Sequence, residues 1–273
     1  MPQPSAPPLG TLVALGGGDD DAMLALLSDL LPAPDARIEI LAMAASDATA
    51  TGTRYIRALR ELGCSHVRHL TIDERHSADK PATLRRLQEA SLLFFTGGDQ
   101  ELITESLHGT EFLRQLLHRY HTDAGFFVAG TSAGASVLGD QMLVGGHGWR
   151  ALRKGGIHTV HGLGLVPQLL LDQHFVERGR FGRLAHAVLV HPMCLGIGLA
   201  EETGIIIRGG NEAEVFGDGV VMVVDGRHLR GSNLGRVGRG EPVAGQDFRV
   251  HLLVAGQRFL LRPRQVLENG ENS

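Results

Sequence analysis

Short apolar runs alternate with amphipathic stretches through the first half of the chain. TLVALGGG (11–18) reads as a buried strand running into a glycine turn, and a helix is expected from Asp21 to Leu31. Ile38 to Ala42 reads as a strand, and Thr53 to Leu62 as a helix with Gly63 as its C-cap. Val67 to Ile72 predicts a strand. Residues 79–90 predict a helix with Pro81 in its first turn, where a missing N–H is harmless. Leu92 to Thr96 is a strand ending in GGDQ, a single helix is expected over about 100–119, and Phe126 to Ala129 is a strand ending in GTSAGAS. Strand–helix alternation of this kind predicts an α/β protein with a mostly parallel sheet flanked by helices, whose sites gather at the carboxyl ends of the strands.

The second half changes character. Residues 144–164 are rich in Gly and His and read as a long loop. Leu165 to Leu171 leads into Asp172-Gln173-His174-Phe175, and a helix is expected to carry Arg178, Arg180 and Arg183. From Gly196 onward GIGLA, GIIIRGG, AEVFGDG, VVMVVDG and RHLRG predict C-terminal antiparallel hairpins, with Asp225-Gly226 as a turn. Residues 1–9 are Pro-rich and predict a disordered N-terminal tail, leaving residues 10–273 as a single domain.

Composition narrows the class. Of 273 residues, 43% are hydrophobic, enough for a substantial core, and the formal net charge of -4 carries no nucleic-acid signature. The two cysteines are too few for a disulfide framework and read as buried thiols. No basic n-region followed by an apolar run opens the chain, and no apolar run approaches the ~20 residues of a membrane span. The expectation is therefore a cytoplasmic protein without membrane contact.

Gly130-Thr131-Ser132-Ala133-Gly134 fits G-x-S-x-G, in which a sharp strand-to-helix turn pushes a serine Oγ out of the sheet. Small residues from Ala133 to Ser136 suit that turn, and the Ala133 amide at the start of a helix suits an oxyanion donor. A plain glycine turn capped by Ser132 is the other reading. Gly98 or Asp99 is the candidate for a second oxyanion donor. Among fourteen histidines, His174 is distinguished by the apolar run before it, which suits delivery of an imidazole to a cleft; a buried core histidine remains open. His147, His158 and His161 lack a third partner at metal-ligand spacing, and no metal is expected. His118 and His121 read as flanking a helix end. Glu201 and Glu202 follow GIGLA directly and are either solvated loop residues or a site carboxylate. Gly16-Gly17-Gly18 lacks the G-x-G-x-x-G spacing of a dinucleotide turn.

GTSAGAS, DQHFVERGRFGRL and GIGLAEETG, in that order, with GGGD, FFTGGDQ and RALRKGG, resemble cyanophycinase, of the serine peptidase family that also includes aspartyl dipeptidase. The likeness spans about residues 11–225. It implies a class I glutamine-amidotransferase-like (flavodoxin-like) fold, a homodimer and no cofactor. It also implies hydrolysis of cyanophycin, a poly-aspartate with arginine on each β-carboxylate, to β-Asp-Arg dipeptides. The family's nucleophile falls on Ser132, its histidine on His174 and its acid on Glu201; where the family commonly has a further acidic residue, this chain has Ala200. A substrate carrying a guanidinium and a carboxylate per unit implies a pocket of cations and acceptors. Arg178, Arg180, Arg183, Gln100, Ser136, Asp172 and Gln173 are the candidates, with Arg180 and Arg183 sharing a helix face. The rival readings are an aspartyl dipeptidase, a non-catalytic binding protein, and an esterase in which His228 or His251 serves Ser132.

Overall fold

The computed structural model describes residues 6–72 and 78–267. Five strands form the parallel half of a nine-stranded sheet: β1 (Thr11–Leu15), β2 (Arg37–Leu41), β3 (His66–His69), β4 (Leu92–Phe95) and β5 (Phe127–Thr131), in the order β1-β5-β4-β2-β3. Helices α1 (Asp21–Leu30), α2 (Ala48–Glu61), α3 (Pro81–Glu89), α4 (Gln100–Leu107) and α5 (Glu111–Thr122) connect them. All four residues of β4, Leu92 to Phe95, are buried, as a strand covered on both faces requires.

The single helix expected over 100–119 is two. Thr110 opens α5 by accepting the Leu113 amide on its hydroxyl at 3.2 Å, a helix-start signal inside what reads as one amphipathic run. The N-terminal stretch is attached at its inner end: Pro8 is buried and the Leu9 amide donates to the His121 carbonyl at 3.3 Å. The first five residues of the expected tail lie outside the described residues.

The expectation of a mostly parallel sheet is corrected. Beyond β1 the large sheet continues antiparallel through β10 (Thr203–Arg208), β11 (Glu212–Gly217), β14 (Arg258–Leu260) and β15 (Gln265–Leu267). A second, six-stranded sheet holds β6 (Gly139–Val144), β7 (His158–His161), β8 (Val166–Asp172), β9 (Leu195–Leu199), β12 (Val221–Asp225) and β13 (Arg249–Leu253), in the order β13-β12-β9-β8-β6-β7. Only its β6–β8 and β8–β9 pairs are parallel. The segment 144–164 is thus not all loop, since its end pairs back on β6 as β7. Nor do the successive runs after Gly196 all form hairpins. β9 and β10 lie in different sheets, and Asp225-Gly226 closes no tight hairpin with RHLRG: the chain returns beside β12 only at β13, after a long connection.

Alternation along β1 sorts the core. Val13 and Leu15 face α1 and α2 in a cluster with Leu24, Leu27, Tyr55 and Leu59. Leu12 and Ala14 face the opposite way, into a cluster that joins α3, α4 and α5 to the inner face of the second sheet through Leu169, Ile197 and Val221. The outer face of that sheet carries Leu170 and Val224 under α7 (Phe181–Val190), packed on Leu184 and Val188. The turn after β5 and the turn after β8 are thereby brought to one place, on the first residues past two parallel strands.

Candidate active site

Ser132 follows β5 directly and has φ 52°, ψ -113°, a conformation that costs a residue with a Cβ and that characterises a nucleophile elbow. Its amide is fixed by the Leu15 carbonyl at 3.0 Å. Close packing explains the glycine that follows, because a Cβ on Gly134 would lie 2.1 Å from the Phe95 carbonyl oxygen. The helix opened by the motif, α6 (Ala133–Ser136), is a single turn.

Ser132 Oγ lies 2.8 Å from His174 Nε2, and His174 Nδ1 lies 2.5 Å from Glu201 Oε1. His174 is the second residue past β8, with φ 46°, and its amide donates to the Gly16 carbonyl at 2.7 Å. Glu201 is the second residue past β9. Its amide donates to Glu177 Oε2 at 3.2 Å, and the next amide, of Glu202, to the Gly17 carbonyl at 2.8 Å. Serine, histidine and carboxylate come from three strand ends, with the imidazole oriented at both nitrogens. Glu202, at φ 53°, makes no hydrogen bond to His174.

The turn after β1 braces this row. Gly16 holds the His174 amide, Gly17 lies against the imidazole, and a Cβ on Gly18 would sit 2.9 Å from Glu201 Cβ. Gly16 to Gly18 therefore line the site as well as turning the chain. Glu177 escaped the sequence reading, because its contact has no spacing signal. Asp20 escaped it as well. Its carboxyl is buried and accepts from Thr131 Oγ1 at 2.7 Å and from the Tyr55 phenol.

The turn after β4 flanks the nucleophile: a Cβ on Gly97 would lie 3.4 Å from Ser132 Cβ. Of the two residues considered as a second oxyanion donor, Asp99 is removed, since its amide donates to the Ala44 carbonyl at 2.8 Å and its side chain caps α4 through the Glu101 amide. Gly98, next in that turn, packs on the Ala44 backbone, where a Cβ would lie 2.0 Å from the carbonyl oxygen. Gln100 begins α4 and ties it to the second sheet, its Nε2 donating to the Leu143 carbonyl. Ser136, at the end of α6, is buried.

The arginine-rich segment differs from expectation. Residues 174–180 form irregular turns and α7 starts only at Phe181, so Arg180 caps the helix while Arg183 lies within it. They do not share a helix face; they converge on one buried carboxylate. Arg183 Nε donates to Asp172 Oδ2 at 2.7 Å, Arg183 Nη2 donates to Asp172 Oδ1, and Arg183 Nη1 donates to the Gly145 carbonyl at 2.8 Å. Arg180 Nη1 reaches Gln173 Oε1 at 2.8 Å and, more loosely, Asp172 Oδ1 at 3.4 Å. Asp172 is wholly buried and held by the protein's own guanidiniums, so it and Arg183, expected as substrate contacts, here face each other. Burial and the neighbouring Arg183 charge draw the Arg180 pKa down to about 10, and its Nε is buried without a partner among the described residues. Arg178 is exposed.

The other histidines stand elsewhere. His161 pairs with Gln141, His251 packs on Phe259 at the far edge of the second sheet, and His228 lies in the turn after β12. Among the described residues no three His, Cys, Asp or Glu side chains cluster as a metal site, and no helix is long and apolar enough to cross a membrane. Cys64 and Cys194 are buried free thiols.

A hydrogen-bonded Ser–His–Glu row on the carboxyl ends of strands in a two-sheet α/β protein defines the class as a serine hydrolase. Residues 12–215 match peptidase family S51, and the chain belongs to that family of serine peptidases. It is 35% identical over 271 residues to the cyanophycinase of Trichormus variabilis (strain ATCC 29413 / PCC 7937), covering 98% of this chain and 90% of the relative. It is 33% identical over 261 residues to that of Synechococcus elongatus, covering 94% and 81%. Among solved structures, a peptidase from an acI-B1 Actinobacterium shares the fold with a TM-score of 0.64 at 20% identity, over 92% of this chain and 96% of that one.

Proposed function

We propose that the protein is a serine exopeptidase that hydrolyses cyanophycin to β-Asp-Arg dipeptides through an acyl-enzyme. The observation that carries this is the unbroken row from Ser132 Oγ through His174 to Glu201, at 2.8 and 2.5 Å. The likeness to cyanophycinases over nearly the whole chain supports the substrate.

In this reading His174 Nε2 takes the Ser132 proton as Oγ attacks the scissile carbonyl. Glu201 holds Nδ1–H, fixing the tautomer and stabilising the imidazolium. The Ala133 and Gly98 amides receive the oxyanion. His174 then protonates the leaving amine, and the same imidazole activates the water that releases the acyl group. Arg178 and Arg180, with Gln100 and Gln173, are the side chains left to meet the substrate's carboxylates and guanidinium. The unpartnered Nε of Arg180 supports a charged ligand there. A class I glutamine-amidotransferase-like core, one domain over residues 10–273, a cytoplasmic homodimer and catalysis without a cofactor complete the proposal.

The test is wild type and Ser132→Ala on insoluble cyanophycin, with mass analysis of the soluble products. Release of β-Asp-Arg by wild type, reduced on the order of a millionfold in the variant, is expected. Equal release by both proteins removes Ser132 as nucleophile. Release by neither, with cleavage of short Asp-X peptides, moves the substrate to the aspartyl dipeptidase class.

A further inference from the structure

Away from the triad, the 3-10 helix Gly148–Leu152 and the residues after it form one wall of an open cleft of about 430 Å³. Arg150, Arg153, Lys154 and Arg239 line it, with Trp149, and no acidic side chain does. None of the four cations has a carboxylate within ion-pair distance among the described residues. The nearby Glu241 turns its carboxylate to the Gly238 amide at 2.7 Å. Trp149, the chain's one tryptophan, is 62% exposed, and the guanidiniums of Arg153 and Arg150 lie 4.7 and 5.6 Å from its ring centroid.

The cleft is built rather than incidental. Lys154 Nζ donates to the Leu234 and Val237 carbonyls at 2.8 Å each, and Arg153 Nη1 to the Gly240 carbonyl at 2.6 Å, so the two walls are cross-tied. These ties use neutral acceptors and leave the positive charge uncompensated. The 3-10 helix is also joined to the catalytic half. His186 Nδ1 meets the Ala151 carbonyl at 2.7 Å, and Arg183 spans from Gly145 to Asp172, two residues before His174. The same α7 therefore positions both the cleft and the turn that carries the histidine.

We infer that this cleft is a second, non-catalytic binding site for the carboxylates of polymer units outside the catalytic pocket. The inference rests on the function proposed above. Each unit of that polymer offers one free carboxylate and one guanidinium. A wholly cationic cleft selects the carboxylates, which guanidinium forks can take in two parallel hydrogen bonds. The indole face supplies an apolar wall for the arginyl methylenes. Two sites on one chain raise the effective concentration of polymer at the triad without altering the chemistry there. A short oligomer that fills only the catalytic pocket gains nothing from the cleft.

The experiment compares wild type with Arg150→Glu/Arg239→Glu and, separately, Trp149→Ala, all at exposed positions. The readouts are kcat/KM on insoluble cyanophycin and on a soluble oligomer of two β-Asp-Arg units, with thermal melts as the control for folding. Co-sedimentation with cyanophycin across a salt series, in Ser132→Ala protein, isolates binding. The charge-reversed variant is expected to bind and cleave polymer about tenfold less well, most clearly at low salt, with the short oligomer unaffected. An unchanged polymer rate overturns the inference, as does an equal loss on both substrates. Tighter retention on polyphosphate or single-stranded DNA than on cyanophycin also overturns it. If wild type itself leaves cyanophycin intact but cleaves Asp-X dipeptides, the proposed function fails, an outcome distinct from a silent cleft in an active enzyme.

Discussion

Gly17 and His174 are in mutual contact so close that no side chain fits between them: a Cβ on Gly17 would stand 2.4 Å from His174 Cε1 and 2.7 Å from Nε2. Gly17 also has φ 97°, which a residue with a Cβ resists. Gly17→Ala is therefore expected to push the imidazole off the Ser132–Glu201 line. A misplacement of about 1 Å costs on the order of a hundredfold in rate. The loss should fall on kcat rather than KM, beside a lowered thermal midpoint from the backbone strain at φ 97°. A variant of undiminished kcat would mean the ring tolerates displacement.

In the proposed mechanism the acid is Glu201. Its Oε1 meets His174 Nδ1 at 2.5 Å, and Glu202 makes no hydrogen bond to that ring. Glu201→Gln keeps the shape but can present its amide N–H to Nδ1 and favour the wrong tautomer. A loss of about 10⁴ in kcat is expected, against a near-wild-type rate for Glu202→Gln. Steady-state kinetics on the two variants decide it, and the reverse ranking would transfer the role to Glu202.

Asp172 and Arg183 make the strongest internal charge pair near the site, with side chains 0% and 4% exposed. Removing one partner leaves a buried, unpaired charge, so Asp172→Ala is expected to destabilise the fold by about 3 kcal/mol. Denaturant unfolding measures this. If the pair instead served only to hold substrate, stability would stay constant and KM alone would rise.

The hydrogen-bonded row is partly legible in the sequence. Ser132 sits in a glycine elbow after an apolar strand and His174 follows another strand, but the residues alone do not separate Glu201 from Glu202, and only the family resemblance points to Glu201. What stayed hidden depends on pairings between distant segments. Asp172 looks like a free acceptor until Arg183 closes on it, and Asp99 looks like a free amide donor until its N–H donates to the Ala44 carbonyl. The runs ending in Leu199 and Arg208 are buried almost throughout, and a continuous apolar run reports a covered strand, not which sheet it joins. Arg178 and Arg180 lie outside the helix expected for them because the chain turns through residues 175–180, with Gly179 at φ 57° just before the helix begins at Phe181.

Asp20 ties the nucleophile's strand to the first helical layer and gives the fold an acid-range signature. Its carboxyl accepts from Thr131 Oγ1, on the residue before Ser132, and from Tyr55. Burial outweighs those hydroxyl hydrogen bonds and the nearby Arg54 charge, raising its pKa above the ordinary 3.8. The folded chain therefore holds this proton at a pH where the unfolded chain has released it. With more protons bound in the folded state, stability falls as pH rises. The contribution is complete below the ordinary value, is lost as pH climbs through the raised folded value, and is flat above it. Asp20→Asn keeps an acceptor for Thr131 and a polar partner for Tyr55 but cannot titrate. Urea midpoints of wild type and Asp20→Asn, measured from about pH 3 to about pH 7, should therefore diverge through that window, with wild type losing ground as pH rises. Parallel curves across the range would show that Asp20 titrates alike in the folded and unfolded chains, and that the hydroxyls of Thr131 and Tyr55 offset its burial in full.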